Sequence, residues 1–296
     1  MTTDIQTPKK QKSQRAEIWR RFKQNPLAMI GLGIIIVLIL MAILAPVIAP
    51  ATERDPGYDI MDLSNTFASP SLDNIMGTDQ FGRDVFARLV WGARTSILVG
   101  VVVMTISLTV GVTIGAIAGY YGGVVDNLIM RIIDIVLAIP TILLAIVIAA
   151  SIGGGLMAVL VAVGIGGIPG FARLVRASVL SVRGQEYIEA AHAIGASDFR
   201  IIRKHVLPNC MAPIIVEATM GMAGAIGAAA ALAFLGLGMD PPSPEWGSML
   251  SAGRNFMLAG HTHLVLFPGL AIALVIFALN MMGDGLRDAF DPRLKK

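Results

Sequence analysis

Two ionisable residues inside long apolar stretches are the first candidates for chemistry in this sequence. Asp134 and Glu217 both lie in runs dominated by aliphatic side chains, and a carboxylate in hydrocarbon is costly enough to indicate a function or a partner. Asp134 follows Arg131 by three residues, so the spacing predicts an ion pair along one helix. Glu217 could line a path, contact a partner subunit or be paired locally. Neither belongs to the series of groups that a proton relay needs.

Motifs for catalysis or nucleotide binding are missing from the sequence. There is no G-x-x-x-x-G-K-[ST] loop for ATP phosphates, no H-E-x-x-H and no G-x-S-x-G. One cysteine, Cys210, and four scattered histidines do not make a recognisable metal site, so no metal is predicted. A net charge of +3 does not indicate a nucleic-acid partner. We therefore expect a chain with no enzymatic site and no cofactor of its own.

The composition indicates how these residues are held. Hydrophobic residues make up 55% and charged residues 15% of the 296 residues, and the mean hydropathy is +0.73. Soluble domains carry about 25% charged residues, so the excess apolar surface must face lipid. The apolar runs are long enough to cross a hydrocarbon core of about 30 Å. We predict an all-α polytopic protein with six transmembrane helices, at about residues 27–49, 96–120, 132–152, 156–175, 212–237 and 264–282.

The distribution of Lys and Arg predicts the orientation. With the N-terminus in the cytoplasm, 18 of the 23 basic residues fall in cytoplasmic segments and 5 in outer segments, the bias of the positive-inside rule. Short helices are predicted over Ala16–Gln24 and Asp84–Trp91. The predicted organisation is a cytoplasmic tail (1–26), a first helix (27–49), an extracytoplasmic segment (50–93), a five-helix core (94–282) with a cytoplasmic loop at 176–211, and a cytoplasmic tail (283–296).

Two helices carry glycines at spacings that suit close packing. Gly111, Gly115 and Gly119 form two overlapping G-x-x-x-G steps on one face of the second span, and the fifth span has Gly221 and Gly224. Small residues let helix backbones approach each other closely in membranes. These five glycines are our candidate helix–helix seam. The partner could be another helix of this chain or a second subunit.

The cytoplasmic loop between the fourth and fifth spans has the pattern of a folded unit. Gln185–Ile194 is helical in pattern, and Gly195 suits the left-handed residue that ends a helix. Ser197 can cap a second helix, which places Phe199 on an apolar side. Pro208 then suits a helix start or a sharp break. Such a knob could dock in a groove of another protein or pack against the membrane surface.

The same loop carries a resemblance to a known family. Glu189-Ala190-Ala191, followed by Gly195 and then by Leu207-Pro208 twelve residues later, resembles the cytoplasmic loop of permease subunits of ATP-binding-cassette (ABC) importers. Three further stretches are similar to the dipeptide, oligopeptide and nickel branch, and to its subunit with an extra N-terminal span: GTDQFGRDVFARLVWGARTS (Gly77–Ser96), PPSPEWGSML (Pro241–Leu250) and NMMGDGLRDAFDPRLKK (Asn280–Lys296). Position 192, often Arg in relatives, is His here.

The resemblance implies the type I ABC importer permease fold and a set of partners. These are a second homologous permease subunit, two ABC ATPase subunits that bind ATP and Mg, an extracytoplasmic substrate-binding protein and the lipid bilayer of a prokaryotic inner membrane, with both termini cytoplasmic. The residues it assigns to ATPase coupling are Glu186, Glu189, Ala190, Ala191, Gly195, Ala196, Leu207 and Pro208. Candidates for an outer gate or a binding-protein contact are Asp79, Arg83, Asp84, Glu245 and Trp246.

The resemblance implies ATP-driven uptake of di- or oligopeptides. Nickel or a metal chelate is the alternative cargo, and His261 and His263 near the outer surface are a weak indication of it. The alternative of another class is a stand-alone secondary carrier. A carrier would require charge relays within the membrane and would not require the cytoplasmic knob.

Overall fold

The computed structural model describes residues 14–50 and 55–291, so the basic residues before Gln14 and the last five residues of the C-terminal tail lie outside it. The described residues contain no β-strand, only an isolated bridge between Thr78 and Asp84. The α-helices are α1 Gln14–Gln24, α2 Pro26–Ile48, α3 Val85–Tyr121, α4 Gly123–Leu137, α5 Thr141–Ile152, α6 Gly155–Val182, α7 Glu186–Ala193, α8 Asp198–Ile201, α9 Met211–Leu232, α10 Trp246–Arg254 and α11 His263–Phe290.

Helical structure is continuous from α8 through α9. A π-helical turn at Ile202–Val206 and a 3-10 turn at Leu207–Cys210 join the two helices. A second π-helical turn follows α9 at Ala233–Leu237. Pro208 therefore lies inside a continuous helical segment and does not break it sharply. The lack of a proline N–H is tolerated there because a tight turn already interrupts the regular hydrogen-bond ladder.

Five helical segments of the described chain are long and apolar enough to cross a membrane, and a sixth crossing is possible if α4 and α5 count as one broken span. The all-α, multi-span fold predicted from composition is confirmed. The third predicted span, 132–152, is nevertheless not one straight helix. α4 and α5 meet at 85°, with Pro140 at the break, because proline cannot donate a backbone hydrogen bond and disfavours a helical residue before it.

Several helices extend beyond their apolar runs. α3 begins at Val85, where the Asp84 carboxylate accepts a hydrogen bond from the Ala87 N–H at 2.9 Å, so the predicted Asp84–Trp91 helix and the second span are one helix. The predicted boundary at residue 93 falls inside it. α6 continues to Val182, and α11 continues to Phe290, past the predicted end at residue 282. Hydropathy reports the part of a helix that lipid can surround, not the point at which the helix ends.

The bundle is organised around the contact between α3 and α6. A Cβ added at Gly111 would lie 2.4 Å from Phe171 Cβ, and one at Gly115 would lie 2.4 Å from the Ala172 carbonyl oxygen. At Gly119 the same atom would lie 2.9 Å from Val179 Cβ. These distances leave no room for a side chain. The G-x-x-x-G face of α3 therefore packs directly on the backbone of α6.

The N-terminal part packs on the C-terminal helix. Pro26 starts α2 behind Asn25, whose side chain caps the helix by accepting from the Ala28 N–H at 3.2 Å. A Cβ added at Gly285 of α11 would lie 2.2 Å from Ala28 Cβ, so α2 and α11 are in close contact at this end. Phe22 of α1 is buried in the same cluster. The short helix predicted over residues 16–24 is confirmed as α1.

Adding one methyl group at the α3–α6 contact should destabilise the chain. For Gly115→Ala we expect a loss of about 1–3 kcal/mol in the free energy of unfolding, the usual cost of overpacking a filled interface. Denaturation of the purified chain in mixed micelles measures it. Gly170→Ala is the matched control, because a Cβ there meets no atom within 4 Å. Equal stabilities for the two variants would contradict the close contact.

Candidate functional site

The segment between α6 and α9 forms a projection at one end of the bundle, and we call residues 186–205 the knob. α7 ends in a left-handed residue, Gly195, at φ +81°. The Gly195 N–H donates to the His192 carbonyl at 2.9 Å, and the Ala196 N–H donates to the Ala191 carbonyl at 3.1 Å. A left-handed conformation favours glycine, which has no Cβ to clash. The predicted helix, glycine elbow and second helix are confirmed.

The inner face of the knob is anchored in an apolar cluster. Ile188 and Ala191 of α7 are buried there, together with Val175 and Val179 of α6. Ala116 of α3 belongs to the same cluster. α7 therefore shares one apolar cluster with both helices of the α3–α6 pair.

Polar contacts hold the knob to the last turn of α3. The Tyr120 hydroxyl donates to Asp198 Oδ1 at 2.9 Å and lies 3.0 Å from His192 Nε2. The Arg183 guanidinium donates to the Gly119 carbonyl at 2.9 Å, which satisfies a carbonyl left free at a helix end. His192, the departure from the family pattern, is thus one of the residues that tie α7 to α3.

The outer face of the knob is exposed and mixed in character. Ile194 is 86% exposed and Phe199 is 71% exposed, and Tyr187 is also exposed. The carboxylates of Glu186 and Glu189 lie on the same helix, α7. An exposed apolar surface on a rigid base is a common signature of a protein contact. This arrangement can dock another protein, with acidic groups available to pair with its cations.

The predicted coupling residues do not share one environment. Glu186, Glu189, Ala190, Gly195 and Pro208 are exposed, Ala196 and Leu207 are half-buried, and Ala191 is buried. Sequence reasoning did not single out Tyr187 or Ile194, and it placed Phe199 on the packed side of its helix. The available signal was a large apolar residue on each side of the Gly195 elbow, Ile194 before it and Phe199 after it.

The glycines of α9 differ from those of α3. A Cβ at Gly221 would lie 2.8 Å from Met104 Cε of α3, whereas a Cβ at Gly224 meets no atom within 4 Å. Gly111, Gly115 and Gly119 all contact α6 of the same chain. The five candidate seam glycines therefore divide into four that face a neighbouring helix and one, Gly224, that faces outward.

A network of buried charges occupies the opposite end of the bundle. Asp79 accepts from Arg83 Nε at 2.7 Å and lies 3.8 Å from Arg88 Nε. Arg83 also donates to Asp59 at 3.1 Å. All three residues of the Asp79–Arg83–Arg88 group are buried. Asp59 and Asp79 together balance the two guanidinium charges. Arg88 of α3 also donates to the Tyr58 carbonyl at 3.1 Å, so the network holds segment 55–84 against α3.

The remaining candidates at this end act as helix caps or as a buried anchor. Asp84 caps α3, and Glu245 caps α10 by accepting from the Gly247 and Ser248 N–H groups at 2.8 Å each. The indole N–H of Trp246, which is fully buried, donates to the Leu89 carbonyl at 3.0 Å. Contact with a soluble partner would fall to exposed neighbours of these residues, such as Phe81.

The two intramembrane carboxylates have different surroundings. Asp134 forms an ion pair with Arg173 of α6, not with Arg131, because α4 lies along α6 and the guanidinium approaches from there. Glu217 is exposed on α9. Among the described residues Glu217 has no ion-pair or hydrogen-bond partner.

The described residues hold no cluster of three His, Cys, Asp or Glu side chains that could bind a metal ion. His263 is buried, with Nε2 3.1 Å from the Thr78 carbonyl oxygen. His261 stacks on Phe67 with ring centroids 4.4 Å apart. Both imidazoles that weakly indicated nickel are thus occupied by contacts within the outer segment.

Comparison with known families gives two matches. The model described as "Binding-protein-dependent transport system inner membrane component" matches residues 111–296. The model described as "N-terminal TM domain of oligopeptide transport permease C" matches residues 13–70.

Two characterised relatives align with nearly the whole chain. The dipeptide transport system permease protein of Alkalihalophilus pseudofirmus is 48% identical over 279 residues, which are 94% of this chain and 90% of the relative. The glutathione transport system permease protein of Escherichia coli O1:K1 is 44% identical over the same shares. An inward-facing structure of the MetNI methionine ABC transporter matches with a TM-score of 0.56 at 20% identity, over 69% of this chain and 97% of that one. At that identity the likeness concerns the fold alone.

Removing the central carboxylate of the outer network should cost much stability. For Asp79→Ala we expect a loss of about 3–5 kcal/mol, because two buried guanidinium groups lose a carboxylate partner. Denaturation of the purified chain in mixed micelles measures the change. Glu17→Gln removes two solvent-accessible ion pairs of α1, with Arg20 and Arg21, and should lower the free energy of unfolding only slightly, because such pairs contribute little. A mild effect of Asp79→Ala would show that the network is not a structural support.

Proposed function

Because this chain belongs to the family of binding-protein-dependent transport system inner membrane components, as a permease subunit of an ABC importer, we propose that it forms half of an ATP-driven uptake path for short peptides. The observation that carries this proposal is the knob, whose exposed face stands on a base packed against α3 and α6. The relatives named for dipeptide and glutathione transport support the cargo class, since glutathione is itself a tripeptide.

The coupling step follows from how the knob is held. α7 is tied to α3 by Tyr120 and to α6 by the apolar cluster around Ile188, so it moves with both helices as one body. An ATPase that closes on ATP would carry α7 along and rotate the helix pair. Such rigid-body rotation exchanges inward-open and outward-open states, and ATP binding biases their populations. Glu189 is assigned a charge-assisted contact with the ATPase, and Ala190 allows its close approach.

The exposed surface of α9 supports a second permease subunit. α2 exposes large aliphatic residues such as Val37, Ile43 and Val47, which suits contact with lipid. Beyond Met211 and Pro213 at its start, α9 instead exposes Glu217, Gly224 and Ala231. An unpaired carboxylate facing hydrocarbon is unfavourable, so this face is better covered by a subunit or a water-filled path.

The complete complex is assigned two ABC ATPases that bind ATP and Mg, a second homologous permease and an extracytoplasmic substrate-binding protein. The positive-inside bias supports a cytoplasmic position for the knob and both termini, in a prokaryotic inner membrane. The ATPase chemistry is assigned wholly to the partner subunits. Nickel remains the alternative cargo, with less support because His261 and His263 are engaged within the outer segment.

A bulky residue on the exposed face of α7 should uncouple transport. For Ala190→Trp we expect peptide uptake to fall at least about tenfold, since a misplacement of about 1 Å can cost two orders of magnitude in rate. The chain itself should still fold, because Ala190 is exposed. Uptake of a labelled dipeptide by whole cells and recovery of the ATPases with the tagged chain are the two measurements.

Ala16→Trp is the matched control, because Ala16 is also an exposed helical alanine but lies on α1. Uptake should stay at the wild-type level in this variant. Full uptake by Ala190→Trp, with normal ATPase recovery, would contradict the assignment of α7 to coupling.

The cargo can be tested by competition. In cells that depend on this chain, a labelled dipeptide should be taken up, unlabelled di- and tripeptides should compete, and Ni²⁺ should not. Deletion of the chain should abolish the dipeptide signal and leave nickel accumulation unchanged. Loss of nickel accumulation with intact dipeptide uptake would move the assignment to the metal branch.

A further inference from the structure

An apolar groove lies where α1 meets the starts of α2 and α9 and the end of α11. Its volume is about 670 Å³, which is large for a bundle whose other contacts are tight. Every lining residue is apolar, among them Trp19 and Phe22 of α1, Pro208 and Met211 around the start of α9, and Leu286 and Phe290 of α11. An open apolar surface of this size is typical of a site that a lipid, a ligand or a protein partner covers.

The position of α1 indicates which occupant is available. α1 ends one residue before α2, an apolar helix long enough to cross a membrane, so α1 lies at the level where a membrane begins. It carries Trp19 and Phe22 on the groove side together with several basic residues. Amphipathic helices of this composition lie in the interface between headgroups and acyl chains.

The basic residues of α1 are not equivalent. Arg20 donates to Glu17 at 2.8 Å, which lowers the pKa of that carboxyl, and Arg21 donates to the same carboxylate at 3.3 Å. The ammonium of Lys23 lies 5.0 Å from the ring centroid of Trp19. Within the described residues Lys23 has no carboxylate partner. A cation without a counter-ion therefore stands beside an aromatic residue of the groove.

A second cation, Lys204, lies on the α9 side of the groove. Lys204 is exposed and lies one turn before Pro208 in the continuous helical segment. Among the residues that the structure describes, no carboxylate pairs with it. Positive charge thus stands at both the α1 side and the α9 side of an apolar groove. This is the charge pattern that a negatively charged headgroup with an acyl chain would complement.

We propose that the groove binds an anionic phospholipid, with an acyl chain between α1 and α9 and the headgroup phosphate beside Lys23 and Lys204. The proposal goes beyond transport, because it names a resident ligand of this subunit. The lipid would bridge the N-terminal helix to Pro208 and Met211, which follow the knob directly. A bound lipid would therefore contact Pro208 within residues 206–210, the segment that links the knob to α9.

Trp19 provides the probe, since brominated acyl chains quench an indole that they contact. The complex, purified through this chain, is placed in nanodiscs of phosphatidylcholine containing a minor fraction of brominated phosphatidylglycerol. In a second set of nanodiscs, the phosphatidylcholine carries the bromine label and the phosphatidylglycerol is unlabelled. The difference in fluorescence between wild type and Trp19→Phe isolates the signal of Trp19 from all other tryptophans.

We expect brominated phosphatidylglycerol to quench Trp19 well beyond its share of the lipid. Lys23→Gln should lower that preference about fivefold, from the attraction of one basic residue to an anionic headgroup. Arg131→Gln is the control, because it removes a basic residue of α4 that does not line the groove, and the preference should persist. Native mass spectrometry of the complex counts the phosphatidylglycerol molecules that it retains. Wild type and Arg131→Gln should retain more of them than Lys23→Gln.

Two outcomes would overturn the proposal. Equal quenching by both labelled lipids would show ordinary contact with bulk lipid. No quenching by either would show that another subunit of the complex covers the groove.

Discussion

The close approach of α3 and α6 along Gly111, Gly115 and Gly119 is the constraint on which the rest of the structure depends. Because no side chain fits between the two backbones there, α3 and α6 are held in direct contact along the half of α3 nearest the knob. The contact brings the ends of both helices together, so Arg183 of α6 reaches the last carbonyls of α3. α7 is then packed on both ends at once. A displacement at α7 would therefore act on α3 through the Tyr120–His192 contact and on α6 through the shared apolar cluster.

The two ends of the bundle use charge in opposite ways. At the outer end, Asp79 and Asp59 balance the charges of the buried Arg83 and Arg88, and Trp246 is fully enclosed. Charged groups removed from water require such partners, and the resulting network fixes segment 55–84 to α3. At the knob, Glu186 and Glu189 remain exposed. One end is therefore closed by its own contacts, while the other presents groups that a partner can satisfy.

The exposed surface also varies along the sides of the bundle. α2 presents aliphatic residues that suit lipid, whereas α9 presents small residues and the unpaired Glu217. The groove beside α1 combines an apolar interior with free ammonium groups at its margins. These differences follow from the need to match each face to its surroundings, since a charge or a large apolar side chain in the wrong medium is costly.

Local patterns in the sequence determined the all-α, multi-span class and the rough position of the apolar helices, the helix–elbow–helix of the knob and the glycine face of α3. Each depends on residues within one or two turns, where hydropathy, helical spacing and the left-handed preference of Gly195 act directly. Hydropathy could not give the true ends of α3 and α11, because polar residues continue a helix outside lipid. Nor could it give the 85° break at Pro140.

Tertiary structure alone decided which distant residues meet. It paired Asp134 with Arg173 instead of with Arg131, enclosed Trp246 against Leu89 and left Gly224 facing outward. Each outcome depends on how separate helices pack, and packing is settled by the fit of whole surfaces. The sequence specifies the side chain at each position. Which distant side chains contact each other depends on how the folded helices pack together.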